Sequence, residues 1–299
     1  MEKPRSPVQL TQQGDCYAIR FRAMASPCEL LVETESYNVA CRLGKIARNE
    51  AQRIEKAFSR YREGNIVHAI NQSEGKSVTV DSETAGLLDF AAQCFSMSDG
   101  LFDITSGVLG RAWHFDRSDK IPAEEEIKKL LPLVGWNKVR WHAPEFSMPQ
   151  GMQIDFGGIG KEYAVDRVVN LLQSACDIPF LVNFGGDLHA NKAPGNSRSW
   201  SVGVEAMRES GNAIQTIELQ LGALTTSGDA NRFLEKDGVR YGHILHPKTG
   251  WPVAHSPASI TVAGNTCTEA GILSTLAMLH GNDAEQFLAS QNIRYWCQR

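Results

Sequence analysis

The segment that most constrains this chain is residues 154–165, IDFGGIGKEYAV. We expect it to form the end of a buried strand (Ile154, Asp155, Phe156), a turn containing three glycines, and the first turn of an amphipathic helix. Glycines let a ligand approach the backbone, and a helix N-terminus offers free N–H groups and the positive end of its dipole. The segment fits neither the Walker loop nor the G-x-G-x-x-G fingerprint. It is therefore compatible with a bound phosphate, and equally with a tight turn that binds nothing.

The composition excludes several classes of protein. The 299 residues are 42% hydrophobic, enough for a substantial core, and their net charge of −4 argues against nucleic-acid or anionic-membrane binding. No window approaches the roughly 20 apolar residues of a membrane span, and residues 1–15 lack the apolar core of a signal peptide. We expect a cytoplasmic protein, or a periplasmic one only if a leader was removed. Seven scattered cysteines without C-x-x-C favour reduced thiols over disulfides or a zinc site.

The hydrophobic pattern predicts helices and strands without internal repeats or linkers. The clearest helix covers residues 36–60, where apolar side chains recur at helical spacing. Gly185 and Gly186 end a predicted strand over 180–188, so we expect two glycine turns to line one edge of a cleft. The other predicted elements are a hairpin within 16–34 with its turn near Ser26 and Pro27, an irregular segment over 59–71, a strand over 77–80, a helix capped by Asp81 and Ser82 and ending near Met97, a loop over 99–115, a helix over 121–131 with Pro122 in its first turn and Pro132 at its end, a helix over 161–172, strands from 200 to 263, helices over 268–280 and 284–290, and a last strand over 293–296.

Few polar residues suggest chemistry without help from a known family. His243 and His246 form H-x-x-H, but in an extended segment side chains three apart point to opposite faces, so we do not expect a shared metal. His243 fits a general base, an anion donor or a structural histidine. Residues 225–229, TTSGD, fit either phosphate donors or turn caps. No G-x-S-x-G or recognisable Cys–His motif supports a covalent hydrolase.

Four aromatic residues lie in segments that read as loops. An aromatic side chain there can stack on a flat ring, although core packing explains each one as well. These residues are Tyr61, Phe102, Trp113 and Trp251.

In combination, the segments become specific. SRYREGNIVHAIN, LFDITSG, DFGGIGKEYAVD, VNFGGD, ALTTSGD, YGHILHPKTGWPV and STLAMLHG occur in one order over residues 24–281. The chain closely resembles the FAD:protein FMN transferase (ApbE-like) family in nearly full-length register. The resemblance implies an α+β fold with mixed or antiparallel sheets flanked by helices and an FAD cleft between two halves. It implies one domain over 16–281, with the C-terminal helix and strand to 299 packed on it.

The resemblance also implies a reaction and a set of site residues. The family binds FAD, uses Mg²⁺, and moves the FMN moiety onto a threonine of a partner flavoprotein while releasing AMP. His243 matches the candidate base for the acceptor threonine, and the Gly158 carbonyl and Thr275 hydroxyl match metal ligands. The implied flavin contacts are Met24, Tyr61, Leu101, Phe102, Asp103, Asp155, Lys161 and Leu245.

The chain departs from the family pattern at the metal site. Gly271 stands where the family expects an aspartate one helical turn before the threonine, and Ser274 stands where some members supply a second carboxylate. Mg²⁺ usually needs at least one carboxylate beside substrate phosphates. Glu269 is a poor substitute because it lies about 200° away around a helix. Elsewhere, His246 and Gly242 replace a usual Asp and a common Ser.

These departures leave alternatives open. The favoured one is an active transferase whose metal is held by substrate phosphates, Thr275 and an unidentified carboxylate. If the missing ligand limits transfer, Gly271→Asp should raise activity. The second is a degenerate member that binds FAD without transfer, and the third is hydrolysis of FAD with water as acceptor. DITSG at 103–107 resembles the acceptor motif of partner proteins, but Val108 and Leu109 replace the expected Ala-Thr, which disfavours self-flavinylation.

Overall fold

The computed structural model describes residues 8–195, 199–205, 213–228 and 232–299. Its strands are β1 (Gln9–Gln13), β2 (Cys16–Ala23), β3 (Ser26–Glu33), β4 (Val78–Thr79), β5 (Arg140–His142), β6 (Glu145–Ser147), β7 (Phe180–Phe184), β8 (Asp187–Ala190), β9 (Trp200–Glu205), β10 (Ala213–Leu219), β11 (Gly222–Gly228), β12 (Phe233–Lys236), β13 (Val239–Gly242), β14 (Ser259–Gly264) and β15 (Tyr295–Gln298). Its α-helices are α1 (Tyr37–Phe58), α2 (Ile66–Asn71), α3 (Ser82–Met97), α4 (Glu124–Leu130), α5 (Gly160–Ala175), α6 (Cys267–Leu279) and α7 (Ala284–Ser290).

One large sheet organises the described residues. Its strand order is β1-β2-β3-β7-β8-β11-β14-β15, and each of its neighbouring pairs is antiparallel. Smaller antiparallel units are β9–β10, β12–β13 and β4–β6–β5. The sheets in the described residues are thus antiparallel, rather than mixed. Strand β15 pairs with β14 and α7 contacts α6, while the boundaries 16–281 stay a prediction.

The two faces of the large sheet carry different partners. In β7, Phe180, Val182 and Phe184 belong to the main core, whereas Leu181 packs with Trp200 from β9. This is the alternation that a strand imposes on its side chains. Helix α1 packs against β2, α5 against β7 and β8, and α6 against β11 and β14. The helices and the β9–β10 hairpin therefore cover opposite faces of the sheet.

The two clearest predicted helices are confirmed. Helix α1 starts after Ser36, whose side chain accepts a hydrogen bond from the backbone of Val39. Helix α3 starts after Asp81, whose side chain accepts a hydrogen bond from Thr84 N at 2.7 Å. The helix ends at Met97, as expected. Both begin at residues that satisfy otherwise free N–H groups. None of the helices within the described residues is long and apolar enough to cross a bilayer.

Residues 154–156 are not a strand, so this prediction was wrong. Asn71 explains why: its side chain accepts from Ile154 N at 2.7 Å and donates to Ile154 O at 3.0 Å. Asp155 N donates to Ile104 O at 2.9 Å. The segment is held by one side chain and a loop carbonyl instead of a sheet ladder, which a local hydrophobic pattern does not distinguish from a buried strand.

Several loops and turns also differ from the predictions. The hairpin turn lies at Met24 and Ala25, both at positive φ, because β3 already begins at Ser26. Gly185 and Gly186 split the predicted strand over 180–188 into β7 and β8. The predicted loop over 99–115 contains a 3-10 helix (Ile104–Arg111), and the irregular segment over 59–71 contains helix α2. Pro122 lies before α4 instead of in its first turn. Strand β13 already ends at Gly242, and β15 begins only at Tyr295.

Candidate functional site

A single deep cleft brings the predicted site residues together. It has a volume of about 1610 Å³, larger than the roughly 300–1,000 Å³ of most small-molecule sites, so a dinucleotide fits its size. All of the predicted flavin, metal and base residues line it: Met24, Tyr61, Leu101, Phe102, Asp103, Asp155, Gly158, Lys161, His243, Leu245 and Thr275. Their individual roles stay predictions.

Two of the three glycines in the turn at the start of α5 have close neighbours. Its glycines do not adopt positive φ. A Cβ on Gly157 would lie 3.2 Å from Asp155 Oδ1, and one on Gly158 would lie 3.1 Å from Phe102 Cε2. Asp155 Oδ1 also accepts from Gly157 N at 2.9 Å. A side chain in this turn would therefore push against two residues of the cleft wall.

The second glycine turn is a tight hairpin between β7 and β8. Gly185 and Gly186 have φ of 61° and 99°, the left-handed region that glycine adopts without strain. Lys161 links the two turns, because its Nζ lies 3.4 Å from Gly185 O. The structure thus places both glycine turns at one edge of the cleft, as the sequence predicted.

Lys161 forms an ion pair with a residue that sequence reasoning missed. Its Nζ lies 2.6 Å from Oδ2 of Asp187, which is fully buried in β8. Burial works to lower the pKa of Lys161, but the charges of Asp187 and Glu162 outweigh it and the pKa is raised. Burial raises the pKa of Asp187 despite the lysine. This cation at the glycine turns suits a phosphate.

Glu162, in the first turn of α5, is also buried and was also missed. Its Oε2 is buried without a hydrogen-bond partner, and Glu162 is one of the residues that line the cleft. Burial, followed by the charge of Asp187, raises the pKa of Glu162 to about 7. An acidic residue in a first helical turn is common, so its type alone carried no signal.

Asp103 lines the cleft but its carboxylate already has protein donors. It accepts from Thr105 N at 2.8 Å, from Thr105 Oγ1 at 2.6 Å and from Trp136 N at 2.9 Å. Asp103 therefore shapes the cleft wall as the N-cap of the 3-10 helix. Thr105 is fully buried.

Arg60 is a further cleft residue that sequence reasoning missed. Its Nη1 donates to Gly107 O at 2.5 Å and lies 3.3 Å from Asp155 Oδ2. The guanidinium also lies 5.6 Å from the ring centroid of Tyr61. Arg60 thus ties the loop after α1 to the segment before the glycine turn.

His243 is a neutral imidazole in the cleft wall. Burial, then the charge of Arg232, lowers its pKa to about 4, and its Nδ1 is buried without a hydrogen-bond partner. Its ring meets that of Phe115 edge-on at 6.3 Å. His246 is different: its Nδ1 accepts from Lys248 N at 3.2 Å. The segment after β13 is not a strand, so the predicted reason for separating the two rings does not apply.

Hydroxyl groups converge where β11 meets α6. Ser227 Oγ lies 3.2 Å from Thr275 Oγ1 and 2.7 Å from Ser274 Oγ. Ser274 Oγ also donates to Gly271 O at 3.0 Å. Thr226, Ser227 and Gly228 line the cleft, so most of the TTSGD segment belongs to the site, while Asp229 lies outside the described residues.

The four aromatic candidates divide into two kinds. Tyr61 is 86% exposed at the cleft, and Phe102 packs against the glycine turn. Trp113 is buried, donates its indole N–H to Gly250 O at 2.8 Å, and meets Trp251 edge-on at 5.3 Å. Trp113 is therefore a core residue, the partly buried Trp251 packs against it, and Tyr61 is the one available for stacking among these four.

The described residues contain one cluster of three metal-ligand types, Asp166, His189 and Cys267. Asp166 is already used, since it accepts from the backbone of Cys267 and Thr268 at 2.8 Å each and from Thr268 Oγ1 at 2.6 Å. This carboxylate fastens α5 to the N-terminus of α6, so we interpret the cluster as structural.

Hard oxygen ligands for a divalent cation are present in the cleft instead. Thr275, Gly158 and Glu162 line it, and they carry a hydroxyl, a backbone carbonyl and a carboxyl whose Oε2 has no hydrogen-bond partner. Mg²⁺ prefers such oxygens. The residues therefore fit both a phosphate-bearing ligand and a magnesium ion.

Comparisons with known proteins found a matching family model, similar proteins and similar structures. The family model described as the ApbE family matches residues 24–296. A protein named FAD:protein FMN transferase from Vibrio cholerae serotype O1 is 27% identical over 249 residues, covering 81% of this chain and 74% of that relative. The crystal structure of the ApbE protein from Thermotoga maritima is similar at a TM-score of 0.86, with 30% identity and 94% of each chain covered. The apo structure of a Pseudomonas stutzeri flavinyl transferase gives a TM-score of 0.80 at 25% identity, covering 99% of this chain and 92% of that one. The predicted α+β fold is confirmed.

Proposed function

Because this chain belongs to the ApbE family, over residues 24–296, we propose that it is a Mg²⁺-dependent flavin transferase. It binds FAD, transfers the FMN moiety to a threonine of a partner flavoprotein, and releases AMP. The observation that carries the proposal is the meeting of two glycine turns and Lys161 at the edge of one large cleft. A diphosphate suits this edge, because backbone N–H groups and a lysine can surround it without intervening side chains.

The chain's own residues divide the remaining work. Tyr61, Met24, Leu101 and Leu245 supply apolar surface for the flat rings of FAD. His243 accepts the proton of the acceptor threonine, because its lowered pKa keeps the imidazole neutral. The threonine oxygen then bonds to the phosphorus of the FMN moiety while the bond from that phosphorus to the AMP oxygen breaks. Mg²⁺, when bound, neutralises charge on the phosphate oxygens.

The decisive experiment supplies purified chain, FAD, Mg²⁺ and an acceptor flavoprotein that carries a flavinylation-motif threonine. Intact mass spectrometry should show the acceptor gaining one FMN moiety, with an equal amount of AMP released. An acceptor in which that threonine is replaced by valine is the matched control and should keep its mass. An unchanged acceptor mass, when the chain is demonstrably loaded with FAD and Mg²⁺, would overturn transfer.

A second candidate function is favoured by Gly271, because position 271 lacks the carboxylate that the resemblance to the family leads us to expect. This candidate is an FAD-binding protein without transferase activity. It predicts the same FAD affinity with and without Mg²⁺ in calorimetry. Release of free FMN and AMP without any change in acceptor mass would instead indicate hydrolysis with water as acceptor.

A further inference from the structure

We infer that Glu162 supplies the metal-binding carboxylate that position 271 lacks, so that the acidic ligand has moved from α6 to α5. This inference rests on the proposed function, because it concerns the divalent cation of the same cleft. It identifies the carboxylate that the sequence left unassigned. It also explains how a chain with Gly271 can retain a complete metal site.

The first support is the volume that the Glu162 side chain occupies. A Cβ on Gly271 would lie 2.5 Å from Glu162 Cγ, 3.2 Å from Cδ and 3.3 Å from Oε1. Glu162 therefore fills the space into which a side chain at position 271 would project. Gly271 is needed here because a larger residue would collide with the glutamate. The two positions act as a pair, with a long acidic residue on α5 facing a glycine on α6.

The second support is that the Glu162 carboxyl is buried while one of its oxygens has no hydrogen-bond partner. Glu162 is 7% exposed, and its Oε2 has no hydrogen-bond partner. Burying such an oxygen without a partner is unfavourable unless a ligand satisfies it. Thr275 lies one helical turn beyond Gly271 on α6, so it shares a face of that helix with the position that Glu162 contacts, and both Thr275 and Glu162 line the cleft.

Neighbouring carboxylates are less suitable. Both carboxylate oxygens of Asp187 are buried as well, but its Oδ2 lies 2.6 Å from Lys161 Nζ, and Asp187 does not line the cleft. Glu269 is exposed and accepts from Asn265 N at 3.3 Å, at the start of α6. With one carboxylate, a hydroxyl and a backbone carbonyl from the protein, the remaining positions are left for phosphate oxygens and water. This is a usual arrangement for Mg²⁺.

The test measures metal binding directly. Mn²⁺ is titrated into the FAD-loaded protein and followed by electron paramagnetic resonance, with Mg²⁺ calorimetry in parallel. Glu162→Gln should raise the Kd for either ion at least about tenfold, because the neutral amide preserves the volume but loses the charge. FAD binding without metal should stay within a few-fold, which shows that the variant folds. Glu269→Gln, the same change at an exposed site, should leave the Kd unaltered.

A swap of the two side chains provides the complementary test. In Glu162→Ala/Gly271→Asp the carboxylate returns to α6 and the colliding Cγ is gone. This double variant should recover metal affinity to within a few-fold of the original chain, whereas Glu162→Ala alone should not. Equal Kd values for the original chain and Glu162→Gln would overturn the inference.

The outcomes separate this inference from the proposed function. If the original chain binds FAD and transfers FMN while Glu162→Gln keeps full Mn²⁺ affinity, the inference fails and the function stands. If the original chain does not flavinylate the acceptor but loses Mn²⁺ affinity in Glu162→Gln, the function fails and the metal ligand stands.

Discussion

The cleft has two contrasting parts. One is the polar cluster, in which the partly buried Lys161 and the buried Glu162 line the cleft and the fully buried Asp187 lies behind them, paired with Lys161. The other is the apolar rim (Met24, Tyr61, Leu101 and Leu245), which places apolar side chains at the cleft, with Tyr61 86% exposed. Folding alone favours neither arrangement, since charges are rarely buried and large aromatics are rarely left this open. Under the proposed function, each part serves a different portion of one ligand: the cluster binds phosphates and metal, and the rim binds flat rings.

This contrast makes a general prediction. Substitutions in or beside the polar cluster should change reaction rate, metal affinity or stability. Substitutions at the rim should change FAD affinity alone. The following variants test that division, from the largest expected effect to the smallest.

His243→Asn should give the largest change. Loss of a general base typically costs about 10²–10⁴-fold in rate, so single-turnover flavinylation of the acceptor should slow by that factor. FAD affinity should stay within a few-fold, because asparagine removes no charge from the neutral ring. If transfer continues at an undiminished rate, another group takes the proton and His243 is structural.

Lys161→Met should strongly destabilise the fold. The substitution leaves the fully buried Asp187 without its cation, and breaking a buried ion pair costs about 3–5 kcal/mol. Chemical denaturation should show the loss, and FAD should no longer raise the melting temperature. Lys161→Met/Asp187→Asn is the control: it should recover part of the stability but not the FAD effect, because the phosphate-binding cation is still missing.

Gly271→Asp should destabilise the protein and should not raise activity, whereas a rise in activity would be expected if a missing metal ligand limited transfer. Its Cβ would lie 2.5 Å from Glu162 Cγ, and overpacking of this kind costs about 1–3 kcal/mol. Denaturant unfolding of Gly271→Ala separates the steric part, which should account for most of the loss. A Gly271→Asp variant that is as stable as the original and more active would show that Glu162 is not the resident carboxylate.

Acidification should destabilise the fold, because His243 is buried as a neutral imidazole. Because the folded-state pKa of His243 is about 4, below its ordinary value of 6.5, the unfolded chain binds the proton more readily between these values. The stabilising contribution is therefore complete above pH 6.5 and is lost as the pH falls toward 4. Between pH 6.5 and pH 4, this histidine should lower the free energy of unfolding by on the order of 1–2 kcal/mol, after allowing for the solvent that reaches the ring. His243→Asn should show a shallower loss over the same range in urea unfolding, and an identical slope would contradict the assignment.

Features set by neighbouring residues could be predicted from sequence, whereas features set by contacts between distant residues could not. Helices α1 and α3 follow from local periodicity and caps, which are properties of neighbouring residues. Residues 154–156 could not be assigned correctly, because their conformation depends on Asn71, which is distant in sequence. The family motifs identified residues that all line one cleft. Glu162 was missed because its significance depends on facing Gly271 across two helices, a relation that no single motif contains.

Tyr61→Ala should give the smallest effect and should isolate the rim. A single aromatic contact with a flat ring is worth about 1 kcal/mol, so the Kd for FAD should rise about fivefold. Stability should be unchanged, because a side chain that is 86% exposed contributes little to the core. Tyr61→Phe keeps the ring and should bind FAD as the original chain does. If fluorescence titration gives the same Kd for the alanine and phenylalanine variants, Tyr61 does not stack on the ligand, and the rings of FAD contact another part of the cleft.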